Sequence, residues 1–104
     1  MILTNTETIP GKEITAAYGL VSGSTIRAKN FFRDFAAGLK NMVGGELKGY
    51  TELLEEARKE STKRMIKSAE EKGANAVVNV RFSTSSVAAG AAEIYVYGTA
   101  VKVN

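Results

Sequence analysis

The spacing of apolar residues changes several times along this chain, and each change predicts a new element of secondary structure. From Glu13 to Arg27 apolar, small and β-branched residues alternate, and one predicted face carries Leu20, Ser22, Ser24 and Ile26. We expect a long strand that bends at Gly19 or Gly23, where the missing side chain permits a bulge or a close backbone approach. Asn30 to Val43 then shows helical spacing and predicts a shorter helix.

The second half of the chain is built around a long charged helix, predicted from Tyr50 to Lys72. Gly73 ends this helix, because glycine adopts the left-handed terminal conformation without a Cβ penalty. The residues from Asn75 to Thr84 predict a strand with Ala76, Val78, Val80 and Phe82 on one side. A polar turn is expected to begin at Ser83, and Glu93 to Val103 predicts the final strand.

These elements indicate an α+β fold in one domain that spans residues 1–104. We expect an antiparallel sheet of three to four strands, in the order β-α-β-β, packed on one long and one shorter helix. The apolar stripe of the long helix narrows to Ala57 and Ser61 at its middle. Small residues there should let the helix lie close to the sheet.

The charged residues of the long helix are balanced, with six basic and six acidic side chains from Tyr50 to Lys72. Three pairs of opposite sign lie four residues apart, and such pairs stabilise exposed helices by about 0.2–0.5 kcal/mol each. The pairs are Glu55–Lys59, Glu60–Arg64 and Lys67–Glu71. This pattern predicts a solvated helix face.

The last strand is apolar or amphipathic on both faces, which is unusual for a sheet with one face in water. Two helices can cover only one face of a small sheet, so the second face should be covered by other copies of the chain. We therefore predict a homo-oligomer that associates through sheets or strand edges. The expected interface residues are Tyr95, Tyr97, Thr99, Val101 and Val103.

The chain contains neither cysteine nor histidine. This excludes disulfides, thiol catalysis and ordinary Cys/His zinc sites. No combination of residues with catalytic spacing is visible, so we expect no enzymatic activity and no cofactor. The sequence shows no membrane span and no secretory signal, so a cytoplasmic location without a membrane partner is the expectation.

The net charge of +3 is concentrated between Arg27 and Lys48, where five basic residues face two acidic ones. We expect a small anionic ligand at this segment, whose candidate binding residues are Arg27, Lys29, Arg33, Gly44, Gly45 and Glu46. For Gly44 and Gly45 themselves, the interpretation as a helix terminator is favoured over a ligand-binding loop. Nucleic-acid binding through residues 27–48 is a further alternative, which we do not favour because Phe32 and Phe35 lie on the predicted core stripe.

Several segments together resemble one known family. They are the segment from Gly19 to Ala28, the segment Val43-Gly44-Gly45-Glu46 with Tyr50, the segment from Gly73 to Val78, and the final segment from Glu93 to Val101. They are similar to the YbjQ-like family, which is labelled for heavy-metal binding. The resemblance implies a small dodecin-like α+β subunit assembled into a ring, expected to be a homopentamer, and it leaves a metal-binding module as an alternative function. We assign no metal-ligating residue, because soft metals need thiolate or imidazole donors and the chain offers only three methionines.

Overall fold

The fold was described from a computed structural model, which describes residues 1–27, 48–88 and 91–104. Four strands and one helix make up these residues. They are β1 (Ile2–Leu3), β2 (Ile14–Arg27), α1 (Lys48–Glu71), β3 (Ala76–Ala88) and β4 (Ala91–Val103). The shorter helix predicted over residues 30–43 lies outside the described residues.

The strands form one sheet in the order β1-β3-β4-β2, with α1 on one of its faces. β4 pairs antiparallel with both β2 and β3. β1 runs parallel to β3, pairing Ile2 with Ala76 and Leu3 with Val77, so the sheet is mixed. The predicted α+β fold with a helix on a four-stranded sheet is confirmed, and the parallel edge pair is the difference from the all-antiparallel expectation.

The helix ends where the sequence predicts. Gly73 has a φ of 87°, its N–H donates to the Glu70 carbonyl at 3.0 Å, and the Ala74 N–H donates to the Ala69 carbonyl at 3.1 Å. This pair of bonds is a Schellman motif, which satisfies carbonyls that the helix leaves free. Among the residues that the structure describes, no helix is long and apolar enough to cross a membrane.

The helix approaches the sheet most closely at Gly23 of β2. A Cβ at this position would overlap the Ser61 carbonyl oxygen and lie 2.6 Å from the Met65 nitrogen. Ala57, Ser61 and Met65 are fully buried beneath this contact. The sequence prediction of a close backbone approach is thus confirmed at Gly23, and the small residues of the helix stripe make it possible.

Two irregularities decide which side chains face the helix. Gly19, with a φ of 90°, lies at a register shift in β2 and provides the predicted bend. Asn79, with a φ of 55°, lies in a second shift of β3 against β4. Because a bulge adds one residue to a strand, the residues after Asn79 project to the face opposite to the one that simple alternation predicts from the residues before it.

The bulge at Asn79 overturns the predicted single face of β3. Val77 and Val80 pack in the helix-side core, whereas Ala76 and Val78 belong to a separate cluster with Val101. A strand without the bulge would have kept Val78 and Val80 on one side. The prediction that alternate residues from Ala76 to Phe82 share one face is therefore wrong.

The separate cluster lies on the face away from the helix and is covered by the chain itself. Val101 is 2% exposed and Val103 is 5% exposed, and Ile9 of the N-terminal segment packs against them. Asn75 closes this end of the sheet, because its side chain accepts from the Val103 N–H and donates to the Val103 carbonyl, both at 2.8 Å. Part of the second face is thus covered without another subunit.

The hairpin between β3 and β4 is longer than predicted. The expected polar turn at Ser83–Ser86 is instead part of β3, because these residues pair with the start of β4. Pairing satisfies their backbone groups, so a run of serine and threonine remains extended. Gly98 of β4 lies opposite the bulge, where an added Cβ would come within 2.6 Å of Val77 Cγ1. It therefore makes room for β3.

A buried polar network ties the helix to the sheet. The Ser61 hydroxyl lies 2.9 Å from Thr25 Oγ1 and from the carbonyl oxygens of Ala57 and Ile94. Thr25 Oγ1 also lies 3.4 Å from the Ala57 carbonyl. Ser61 is fully buried and Thr25 is 4% exposed. Each hydroxyl has one proton to donate, so the two side chains depend on each other for a partner.

We predict that Gly23→Ala lowers the free energy of unfolding by about 2 kcal/mol or more, since the new methyl group must push the helix backbone away from the sheet. Urea unfolding of the wild type and the variant at one protein concentration measures the difference. Ser22→Ala, at the exposed neighbouring position, should change stability by less than about 0.5 kcal/mol. Equal stability of Gly23→Ala and the wild type would contradict the close approach.

A second prediction concerns the buried hydroxyl pair. Ser61→Ala should cost about 1 kcal/mol of unfolding free energy, because the Thr25 hydroxyl loses its nearest partner in a buried site. Adding Thr25→Val should recover part of that loss, since both hydroxyls are then replaced by apolar groups of similar shape. Thermal unfolding of the two variants decides the point. A double variant less stable than Ser61→Ala would contradict the proposed dependence.

Candidate functional site

Within the described residues, the face of the sheet away from the helix is covered only as far as the N-terminal segment reaches, and a further region lies beyond it. We call this region the open face; its residues are Leu20, Ser22, Ser24, Ile26, Arg81, Ser83, Ser85, Glu93, Tyr95, Tyr97 and Thr99. Their cross-strand pairing across β2, β4 and β3 places them on one surface. Leu20 is 76% exposed, Ile26 59% and Tyr97 37%. Three large apolar side chains are thus presented to solvent on one side of a regular sheet.

The centre of the open face is formed by two tyrosines of β4. The rings of Tyr95 and Tyr97 stack with centroids 5.4 Å apart and an angle of 28° between their planes. Ser24 and Ser22 lie directly opposite them on β2. On the other side, Ser83 of β3 lies opposite Tyr95, and Arg81 lies opposite Tyr97 and donates to the Asn5 carbonyl. Aromatic side chains and arginine are enriched in protein interfaces.

The outer edge of β2 is protected by cations from the helix. Arg64 donates to the Ser24 carbonyl at 2.6 Å, and Lys72 donates to the Leu20 carbonyl at 3.5 Å. Both carbonyls would otherwise be free to accept from an added strand. Charged side chains at an exposed edge are a common defence against strand addition. Contact through the open face is therefore better supported than contact through the β2 edge.

A second uncovered surface lies on the helix side, between α1 and β3. Phe82, which is 51% exposed, lines three neighbouring hollows of about 570, 320 and 270 Å³. We call the combined depression the Phe82 groove. Ile66 and Thr62 of the helix border the largest hollow, and Leu3 and Val80 border the smallest. The groove exists because α1 packs mainly over β2 and β4 and only slightly over β3.

The charged residues of α1 are distributed unevenly around this groove. Arg58, Lys59 and Lys63 line the largest hollow, together with the single carboxylate of Glu55. Among the described residues, Glu60–Arg64 is the ion pair that the structure forms, with Nε and Oε1 3.2 Å apart. The predicted pairs Glu55–Lys59 and Lys67–Glu71 are not formed. The helix is balanced overall, but its groove side is cationic.

The residues proposed from the sequence fall into three groups. Tyr95, Tyr97 and Thr99 lie together on the open face, while Val101 and Val103 are buried by their own chain and do not. Arg27 ends β2, where its backbone pairs with Ala92. The remaining candidates for anion binding, Lys29, Arg33, Gly44, Gly45 and Glu46, lie outside the described residues.

The donor set does not fit a heavy-metal site. The chain has no cysteine or histidine, and the Met65 thioether is fully buried in the core. Residues 1–27, 48–88 and 91–104 hold no group of three or more acidic side chains that could enclose a cation. Asn75, a possible oxygen ligand, already uses its carbonyl oxygen to accept from the Val103 N–H. Soft metals prefer thiolate and imidazole ligands, and hard cations prefer clustered oxygens.

The sequence indicated the β4 part of the open face but not the Phe82 groove. The alternation in β2 did group Leu20 with Ile26, but it gave no indication of how exposed they are. Phe82 was grouped with Ala76 and Val78, whereas the bulge at Asn79 places it on the opposite face of β3. The cations of the groove were visible only as part of a balanced helix. Which of the helix cations border the groove depends on which side of α1 faces β3.

Comparison with known proteins supports the fold and identifies relatives. A crystal structure of a protein of unknown function from Pediococcus pentosaceus, assigned to the DUF74 family, matches with a TM-score of 0.60 over 100% of this chain and 98% of that one. The two sequences are 13% identical, so this likeness concerns the fold alone.

Closer sequence relatives come from both bacteria and an archaeon. A UPF0145 protein of Hahella chejuensis is 65% identical over 101 residues, covering 97% of each chain. One from Halorubrum lacusprofundi is 56% identical over 103 residues, covering 99% of each. The family model described as "Putative heavy-metal-binding" matches residues 1–104. By this match and these identities, the chain belongs to the YbjQ-like family of UPF0145 proteins.

Proposed function

We propose that this protein is a non-enzymatic binding or scaffold subunit that assembles with copies of itself through the open face. The observation that carries the proposal is the exposure of Leu20, Ile26 and Tyr97 on one sheet surface. Burying apolar surface yields about 25 cal/mol per Å², so a partner that covers these side chains gains free energy from all three. A second copy is the partner that is always present at the same concentration.

The proposed contact uses the open face rather than the edge of β2. The stacked rings of Tyr95 and Tyr97 offer a rigid centre, and aromatic residues at the centre of an interface often dominate its binding energy. The surrounding serines can exchange hydrogen bonds with a partner without steric hindrance. Arg64 and Lys72, by contrast, occupy carbonyls at the β2 edge.

A closed ring remains our proposal for the assembly, with about five subunits as the family resemblance implies. In a cyclic ring each open face contacts a different surface of the next subunit, outside the Phe82 groove, so closure leaves no open face free to recruit further copies. In such a ring the basic residues of the segment 27–48 would be repeated around an axis. A small anion at the subunit boundaries is the ligand that this repeated charge favours.

We predict that Leu20→Glu weakens the assembly, since it places a charge at the most exposed apolar position of the open face. Light scattering after size exclusion should give the wild type a mass of several chains at micromolar concentration. The variant should shift toward the 11.1 kDa of one chain.

Phe82→Glu provides the matched control, because it introduces the same charge at an exposed apolar residue on the helix side. Its mass should equal that of the wild type. A wild-type mass of 11.1 kDa at micromolar concentration would contradict self-association. Dissociation by Phe82→Glu but not by Leu20→Glu would instead move the contact to the helix side.

Metal binding is the second candidate function, favoured by the family description. The donor set opposes it, so we expect no saturable heat when zinc, copper or nickel is titrated into the assembled protein in a calorimeter. Calcium tests the separate case of an oxygen-ligand site, with the same expectation. Saturable binding at micromolar concentration with a fixed ratio of metal to chain would contradict our assignment.

A further inference from the structure

The structure assigns a ligand class to the Phe82 groove: we propose that it binds a single-chain amphiphilic carboxylate, of which a free fatty acid anion is the simplest example. This inference names a ligand for the proposed binding role and does not depend on self-association. The groove lies on the helix side of the sheet, whereas the open face lies on the other. Assembly through the open face would therefore leave the groove accessible.

The shape of the groove suits a chain rather than a compact ligand. Phe82 lies where three hollows meet, with the largest alongside α1 and the others bordered by Ser83 and by Leu3. The largest alone, about 570 Å³, is within the range of roughly 300–1,000 Å³ typical of small-molecule sites. The three hollows share the Phe82 ring, so an alkyl chain lying in the groove would contact this ring and the apolar side chains beside it.

The apolar floor is built from side chains whose partners in the fold do not cover them. Phe82 is 51% exposed, and Ile66 and Val80 are half-buried. All three lie on the side of the sheet that carries α1, yet the helix is centred over the other strands. The uncovered surface is therefore a consequence of helix placement. An alkyl chain in the groove would remove this surface from water.

The charge around the floor selects the head group. Three cations, Arg58, Lys59 and Lys63, border the groove with one carboxylate, Glu55. None of the three forms an ion pair within the described part of the chain. The Thr62 hydroxyl is already engaged as a donor to the Arg58 carbonyl at 2.7 Å. The cations are thus the groups available to meet an anionic head group.

A dissolved single chain is favoured over a membrane surface. The same helix carries Glu56, Glu60, Glu70 and Glu71, which an anionic bilayer would repel. A flat bilayer also cannot enter a depression beside the helix without burying these charges. A single carboxylate can lie against the cationic side alone. We therefore commit to the free amphiphile as the occupant.

The test uses three probes with the intact protein in a calorimeter. Laurate, kept below the concentration at which it aggregates, should bind saturably with one molecule per chain. Dodecyltrimethylammonium, with the same chain and the opposite charge, should bind at least tenfold more weakly. Acetate, which has the head group alone, should give no saturable heat. Equal binding of the two long-chain probes would overturn the proposal.

Two variants locate the site. Phe82→Ala should weaken laurate binding about tenfold, and Lys59→Gln/Lys63→Gln should weaken it about fivefold. The matched controls are Ile14→Ala, an exposed aliphatic residue outside the groove, and Lys12→Gln/Lys102→Gln, which removes the same charge elsewhere. Both controls should bind as the wild type does. Circular dichroism confirms that each variant is folded, and the exposed lysine variants are not expected to perturb the core.

The two proposals fail in different ways. Light scattering of the same samples reports assembly, so a monomer that binds laurate would contradict only the proposed assembly. An assembly that does not bind laurate would overturn the ligand assignment alone. Equal loss of affinity in groove and control variants would also overturn it. Cosedimentation with phosphatidylglycerol vesicles, in the absence of laurate binding, would show a membrane surface to be the partner and end the proposal.

Discussion

The close contact between α1 and β2 is the constraint from which the other features of the structure follow. The Ser61 carbonyl and the Met65 nitrogen of the helix occupy the space that a side chain at position 23 would need. Tight packing at this point holds the helix over β2 and β4. In the part of the chain that the structure describes, the helix makes only slight contact with β3. One small residue in a strand thereby decides which part of the sheet is covered and which part is left as a groove.

The position of α1 also determines which of its cations lie at the β2 edge and which lie beside the Phe82 groove. Because α1 packs over the edge strand β2, Arg64 and Lys72 can reach the carbonyls of Ser24 and Leu20 on the outer edge of that strand. Two carbonyls at the outer edge of β2 are thus occupied by cations. On the opposite side of α1, Arg58 and Lys63 border an uncovered Phe82. A helix with balanced charge therefore places its cations at two separate locations. Which cation lies at which location depends on the packing of the helix and cannot be read from composition.

The sequence predicts the local features well because they have local causes. The stop at Gly73, the bend at Gly19 and the close approach at Gly23 each follow from what a missing Cβ allows. The errors arise where one residue changes everything after it. A bulge at Asn79 reverses the faces of β3, and no pattern of alternation marks it in advance.

The burial of Val101 and Val103 was also beyond sequence reasoning, since it requires the N-terminal segment to fold back across the sheet. Ile9 precedes Val101 by 92 residues and Val103 by 94 residues along the chain, yet it packs against their cluster. The sequence correctly indicates apolar residues on both faces of β4. The face away from the helix, however, has two parts that differ in how they are covered. The part near Val101 is completed within the chain, and the part near Tyr97 remains exposed. A partner would therefore cover only the part near Tyr97. This surface is smaller and more aromatic than the whole strand.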